Sequence, residues 1–170
     1  MGVAGCGKTS VGQSLGGAGG VPFLDGDDFH SADNVEKMRA GEPLTDQDRW
    51  PWLDDLGRAL RMTADINGRV YAACSALKRE YRNRLRAAAN ESILFVHLDG
   101  TRALIASRMA ERSNHYMPTT LLDSQFDTLE PLQPDERGCS VNIDVPFDEV
   151  VQVSAQRIRA HLPRLRTSEF

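Results

Sequence analysis

Few cysteines, no long apolar run and no strong charge of either sign set the first limits on this 170-residue chain. Its three cysteines, Cys6, Cys74 and Cys139, are widely spaced and form no C-x-x-C pair. A disulfide framework or a cysteine-built zinc site is thereby disfavoured, and a reducing, cytoplasmic setting fits the chain best. Cys6 reads as inert packing first and as an oxidation-sensitive thiol second. No apolar stretch approaches the roughly 18 residues that span a bilayer, and no secretory leader is visible. A net charge of −4 argues against a nucleic-acid surface. Repeats and low-complexity segments are absent. What remains is an ordinary soluble composition, 41% hydrophobic and 26% charged, long enough for one domain spanning 1–170 with a real core.

The most informative segment is GVAGCGKT at residues 2–9. It fits G-x-x-x-x-G-K-[ST], the phosphate-binding P-loop. Glycines let consecutive backbone N–H groups converge on one anion, and a helix starting after Gly7 adds its positive end. Lys8 can reach terminal phosphates as a flexible point charge. The Thr9 hydroxyl suits Mg²⁺, which prefers hard oxygen ligands. The nucleotide-binding set is therefore Gly2, Ala4, Gly5, Cys6, Gly7, Lys8, Thr9 and Ser10. A P-loop ordinarily follows a buried strand, and only Met1 precedes this one. The expectation is a sheet that lacks its first, central strand.

Short apolar runs at 21–25, 69–75, 93–98 and 140–145 read as strands. Helical patterns fill 8–15, 32–39, 52–65, 77–89, 102–112, 119–128 and 147–161. Such alternation predicts an α/β, three-layer P-loop sandwich, a parallel sheet flanked by helices. Its small lid is placed at about 112–120.

Further motifs sit where chemistry is expected in such a fold, beyond the carboxyl ends of strands. In FLDGDDFH at 23–30, Asp25 and Asp27 can divide two tasks, one serving Mg²⁺ or its waters and the other accepting a hydroxyl proton. Asp28 suits a helix cap, and His30 fits a turn as well as a site. Arg49 lies among turn formers and the aromatics Trp50 and Trp52, an unusual place for a solvated charge, and its planar fork suits a carboxylate. Trp50 and Trp52 read as core and wall. Lys78 and Arg82 stand four apart, on one face if helical, and look like anion recognition; Arg79, Arg84 and Arg86 read as solvated. Arg108 and Arg112 repeat that spacing before a Ser-Asn-His turn, which fits a lid over phosphates with Arg112 neutralising charge during transfer.

Taken together, the P-loop, LDGDDFH, GEPLTDQDRWPWL, CSALKREYR and HYMPTTLLDSQFDTLEP resemble the gluconate kinases of the thermoresistant gluconokinase type, in order and over essentially the whole chain. GEPLTDQDRWPWL and LLDSQFDTLEP are specific to that family; the P-loop alone is not. The resemblance implies ATP-dependent phosphorylation of D-gluconate at its 6-hydroxyl, a fold related to shikimate and nucleoside monophosphate kinases, and often a homodimer. It places Thr9 and Asp25 on Mg²⁺ and Asp27 on the substrate hydroxyl. Lys8, Asp27 and Arg112 become the catalytic set, with Arg108 near adenine. Arg49, Lys78, Arg82 and Asp27 become substrate ligands, with His115 lining the closed lid. Cys6 in place of Ser, and Thr9-Ser10 in place of Ser-Thr, are mild departures.

Residue types alone agree only in part. An anionic polyol needs cations for its carboxylate and a base near a primary hydroxyl, and Arg49, Lys78, Arg82 and Asp27 supply those types. They do not separate gluconate from shikimate or another small hydroxy acid. Two other readings stay open at this point: a shikimate-type or other small-metabolite P-loop kinase, and a non-catalytic nucleotide-binding protein.

Overall fold

A computed structural model describes residues 1–111 and 119–162. In chain order its elements are α1 (Lys8–Gly19), β1 (Phe23–Asp25), a 3₁₀ turn (Gly26–Phe29), α2 (Ala32–Arg39), α3 (Asp46–Asn67), β2 (Tyr71–Ala73), α4 (Arg79–Ala89), β3 (Phe95–Asp99), α5 (Arg102–Ala110), α6 (Thr119–Thr128), β4 (Gly138–Asn142) and α7 (Phe147–His161). All strand pairing among the described residues is parallel. β1 runs beside β2 with Phe23 opposite Tyr71, and β3 beside β4 with Phe95 opposite Gly138.

The two pairs form separate two-stranded sheets, and the expected gap lies between β2 and β3. Among the described residues, Met1 and Gly2 carry backbone hydrogen bonds across it. The Met1 amine donates to Val96 O at 2.5 Å, Leu98 N–H donates to Met1 O at 2.9 Å, and Gly2 N–H donates to Ser75 O at 3.1 Å. Bonds to residues either side of His97 are the pattern of a parallel bridge. Next to that bridge lies a cavity of about 440 Å³, walled by Val11, Leu56, Leu85, Phe95 and Val96 among others.

Each half-sheet has its own core. Val3, Val11, Leu98, Ile105, Val141, Ile143 and Val150 form one. Trp52, Leu53, Leu56, Tyr81 and Leu85 form the other, with Phe95 reaching into it from β3. Gly57 lets α3 and α4 pack closely, since a Cβ there would lie 2.5 Å from the Ala88 Cβ.

Two helix starts differ from the sequence expectation. Helix α3 begins at Asp46, not at 52, because a Thr45–Asp48 capping box closes its first turn. Thr45 Oγ1 accepts from Asp48 N–H at 3.2 Å, and Asp48 accepts from Thr45 N–H at 2.8 Å. The helix runs through Pro51. Asp46 and Arg49 therefore occupy its first turn. Helix α4 begins at Arg79, so Lys78 is its extended N-cap and does not share a helical face with Arg82.

Candidate active site

The P-loop is built on left-handed glycines. Gly5 and Gly7 have φ of 80° and 94°. No heavy atom lies within 4 Å of a Cβ built on Gly7, so the demand there is conformational and the space above it is open. Gly7 caps α1 without a side-chain partner, which leaves the helix's first N–H groups for an anion. Lys8 Nζ folds back onto Val3 O at 2.9 Å. Cys6 is buried at 2% exposure, as packing requires.

At the end of β1, Asp25 accepts from Thr9 Oγ1 at 2.7 Å and from Asp27 N–H at 3.1 Å. The second bond caps the 3₁₀ turn and leaves the Asp27 carboxylate exposed beside the loop. Trp52 Nε1 donates to Gly26 O at 2.6 Å and so ties α3 to this turn. His30 stacks on the Trp52 ring with centroids 4.2 Å apart. Burial lowers the His30 pKa; the Asp27 charge opposes that and the Arg49 charge adds to it. His30 Nδ1 is buried without a hydrogen-bond partner among the described residues.

A cavity of about 210 Å³ collects these groups. Gly5, Gly7, Lys8, Thr9 and Ser10 line one side; Asp27, His30, Arg49 and Trp52 line another. Ser75, Leu77, the α6 residues Ser124, Gln125 and Thr128, and Met38, Glu42, Pro43 and Leu44 make up most of the rest. Gln125 Oε1 accepts from the Ala4 amide at 2.6 Å, a side-chain acceptor against a phosphate-loop donor. Its role, and the orphaned His30 Nδ1, escaped the sequence reading. No local pattern pairs Gln125 with Ala4, 121 residues away.

Three expected ligands need restating. Arg82 is fully buried and does not line this cavity. Its Nε and Nη2 pair with Glu136 at 2.7 and 2.8 Å, and Nη1 donates to the carbonyls of Ala76, Leu77 and Glu130. That pairing holds the Glu136 carboxyl at about 2. Arg82 thus braces the loop after β2, in which buried Ala76 adopts a left-handed φ of 44°. Lys78 is held by Asp46 at 2.8 Å and does not line the cavity. Arg108 donates to Ile143 O at 2.6 Å and also lies outside the cavity lining. Arg112, His115 and the rest of the expected lid through residue 118 lie outside the described residues.

The comparisons with known proteins bear on this geometry directly. A shikimate kinase family model matches residues 4–137. A gluconokinase of Gluconobacter oxydans is 45% identical over 156 residues, covering 89% of this chain and 87% of the relative. The chain belongs to the gluconokinase family. A probable gluconokinase of Xenopus tropicalis is 42% identical over 165 residues, covering 89% of this chain and 87% of that protein. The crystal structure of a gluconokinase from Sinorhizobium meliloti superposes with a TM-score of 0.81 at 41% identity, covering 95% of this chain and 90% of that one. The expected α/β P-loop kinase fold therefore stands, and the chain is a nucleotide-using kinase of a small molecule. Among the described residues no helix is long and apolar enough to cross a membrane.

Proposed function

We propose that this chain transfers the γ-phosphoryl group of ATP to the 6-hydroxyl of D-gluconate. The observation that carries the reading is one cavity of about 210 Å³ holding the P-loop, an exposed carboxylate at Asp27 and the guanidinium of Arg49. Phosphoryl transfer needs mainly positioning and charge neutralisation, and those three elements divide the work. The loop amides and Lys8 hold the phosphates in line. Asp27 accepts the proton of the attacking hydroxyl. Arg49 takes the far carboxylate, which fixes which end of the polyol meets Asp27.

Mg²⁺ fits the pair of Thr9 and Asp25, whose hard oxygens stand 2.7 Å apart at the loop. Bound there with the nucleotide, the ion would neutralise phosphate charge as it shifts toward the leaving group. Lys8 would leave Val3 O to meet phosphate oxygens. Gln125 would yield the Ala4 amide in the same step. Arg112 and His115 are assigned here to the closing lid, the first as a charge stabiliser and the second as a lining residue. Arg108 is assigned to the adenine side. A homodimer and a cytoplasmic location belong to this reading as well.

The test is a coupled ADP-release assay with gluconate, shikimate and nucleoside monophosphates. Gluconate should give the highest kcat/KM. A higher value for another acceptor would overturn the substrate assignment. Asp27→Asn should lower kcat by about 10²–10⁴-fold, the usual range for a lost proton acceptor. Near-normal turnover would remove Asp27 from that role.

A further inference from the structure

Arg49, like Lys8, lines the cavity, and a short chain of polar groups stands behind it. Its Nη1 donates to the Tyr81 hydroxyl at 3.1 Å, its single hydrogen bond among the described residues. The remaining N–H groups are left for the cavity side. The Tyr81 hydroxyl in turn donates to Asp46 Oδ1. Asp46 is itself held by Lys78 Nζ, at 3.0 Å to Oδ1 and 2.8 Å to Oδ2. The direct separation of Arg49 Nη1 from Asp46 Oδ1 is 3.6 Å, too long for a hydrogen bond. Asp46 therefore acts on Arg49 by charge at that distance and by hydrogen bonding through Tyr81.

The direction of these bonds matters. A tyrosine hydroxyl has one proton and spare lone pairs. Asp46 is acceptor-only when ionised, so it fixes that proton away from Arg49 and turns a lone pair toward the guanidinium. Lys78, a donor-only group, keeps Asp46 ionised; its hydrogen bond is the largest cause of the lowered Asp46 pKa. Tyr81 is 1% exposed and packs edge-on against Trp50 at 5.6 Å, so the hydroxyl cannot swing away.

We propose that Asp46 is a positioning residue for the acid end of the substrate, setting the polarity of a Lys78–Asp46–Tyr81–Arg49 relay that presents Arg49 to a carboxylate. Lys78, in this arrangement, supports the relay and does not touch substrate. Two cations and one carboxylate leave the cluster with one positive charge, matched to one carboxylate. The inference rests on the gluconate reading above.

The test compares Tyr81→Phe, Asp46→Asn and the double variant with the parent chain, measuring kcat, KM for gluconate and KM for ATP. Tyr81→Phe removes only the hydroxyl. An Asn at 46 can turn a donor toward Tyr81 and reverse the relay. Each single variant should raise the gluconate KM by about fivefold or more, with kcat and the ATP KM within about twofold, the signature of lost substrate binding. The double variant should be no worse than the poorer single one, because both act through one guanidinium. A gluconate KM unchanged or lowered in Tyr81→Phe, or additive effects in the double variant, would overturn the relay. A parent chain inactive on gluconate would overturn the substrate reading and this inference with it. An active parent with indifferent variants would overturn the relay alone.

Discussion

Arg49 and Arg82 carry the same head group, and both fit an anionic substrate by residue type, yet the fold uses them oppositely. Arg82 has no exposed surface and directs its donors to Glu136 and three carbonyls. Among the described residues the Arg49 side chain makes one hydrogen bond and one longer ion pair, with Asp46, and it lines the cavity that also holds Asp27 and Lys8. A buried guanidinium whose three nitrogens all hold protein partners is braced within the fold, since a ligand would have to displace those partners. A half-satisfied one at a cavity wall is available for recognition. The difference is one of burial and partner count, which charge alone does not reveal.

The comparison breaks most visibly through Glu136. Replacing it with Gln leaves the buried Arg82 charge without its counter-ion, and removing one partner of a buried pair costs about 3–5 kcal/mol. Denaturant titration of Glu136→Gln should show that loss, while its folded fraction keeps the gluconate KM within about twofold of the parent. A large KM change in a fully stable Glu136→Gln would return Arg82 to the substrate site.

Arg49→Ala should do the reverse. Losing a charge-assisted pair with substrate corresponds to about ten- to a hundredfold in kcat/KM for gluconate, with little change in melting temperature. A melting temperature that falls with activity intact would exchange the roles of the two arginines.

Acid sharpens the same contrast. The Glu136 carboxyl titrates at about 2 in the folded protein against an ordinary 4.5. A depressed carboxylate pKa gives stability that is fully present above the unfolded value and is lost as pH falls toward the folded one. Stability followed from pH 6 to pH 2 should therefore drop mainly below about 4.5 in the parent, and Glu136→Gln should flatten that part of the curve. An identical acid limb in both proteins would mean the pair does not set it.

The smallest effect belongs to Trp52, whose indole N–H holds Gly26 O beside the site. Trp52→Phe removes that bond while keeping a ring for His30 to stack on, and should cost about 1–3 kcal/mol of stability. Thermal unfolding would register it, and an unchanged melting temperature would show that α3 needs no such tie.

Local patterns were readable in proportion to how local their causes are. The P-loop lies within eight residues, so its spacing disclosed the phosphate cradle and the α1 start at Lys8 together. The alternation of apolar runs with helical periods gave the parallel sheet. Among the described residues, Met1 and Gly2 carry backbone hydrogen bonds from one half-sheet to the other. Helix α3 was read as starting at 52, whereas the Thr45–Asp48 capping box starts it at Asp46 and it runs on through Pro51. Arg82 was misread because its partner Glu136 stands 54 residues away. No periodicity links such positions. The Gln125–Ala4 bond spans 121 residues and is hidden for the same reason.

The measurement that bears most directly on the account is ADP release by the 170-residue chain supplied with ATP, magnesium and gluconate, beside the same chain carrying Lys8→Ala. The account predicts turnover that depends on gluconate and drops by about 10²-fold or more without the loop lysine, the scale of a removed charge stabiliser. Gluconate-independent ADP release, or equal turnover in the two proteins, would contradict it.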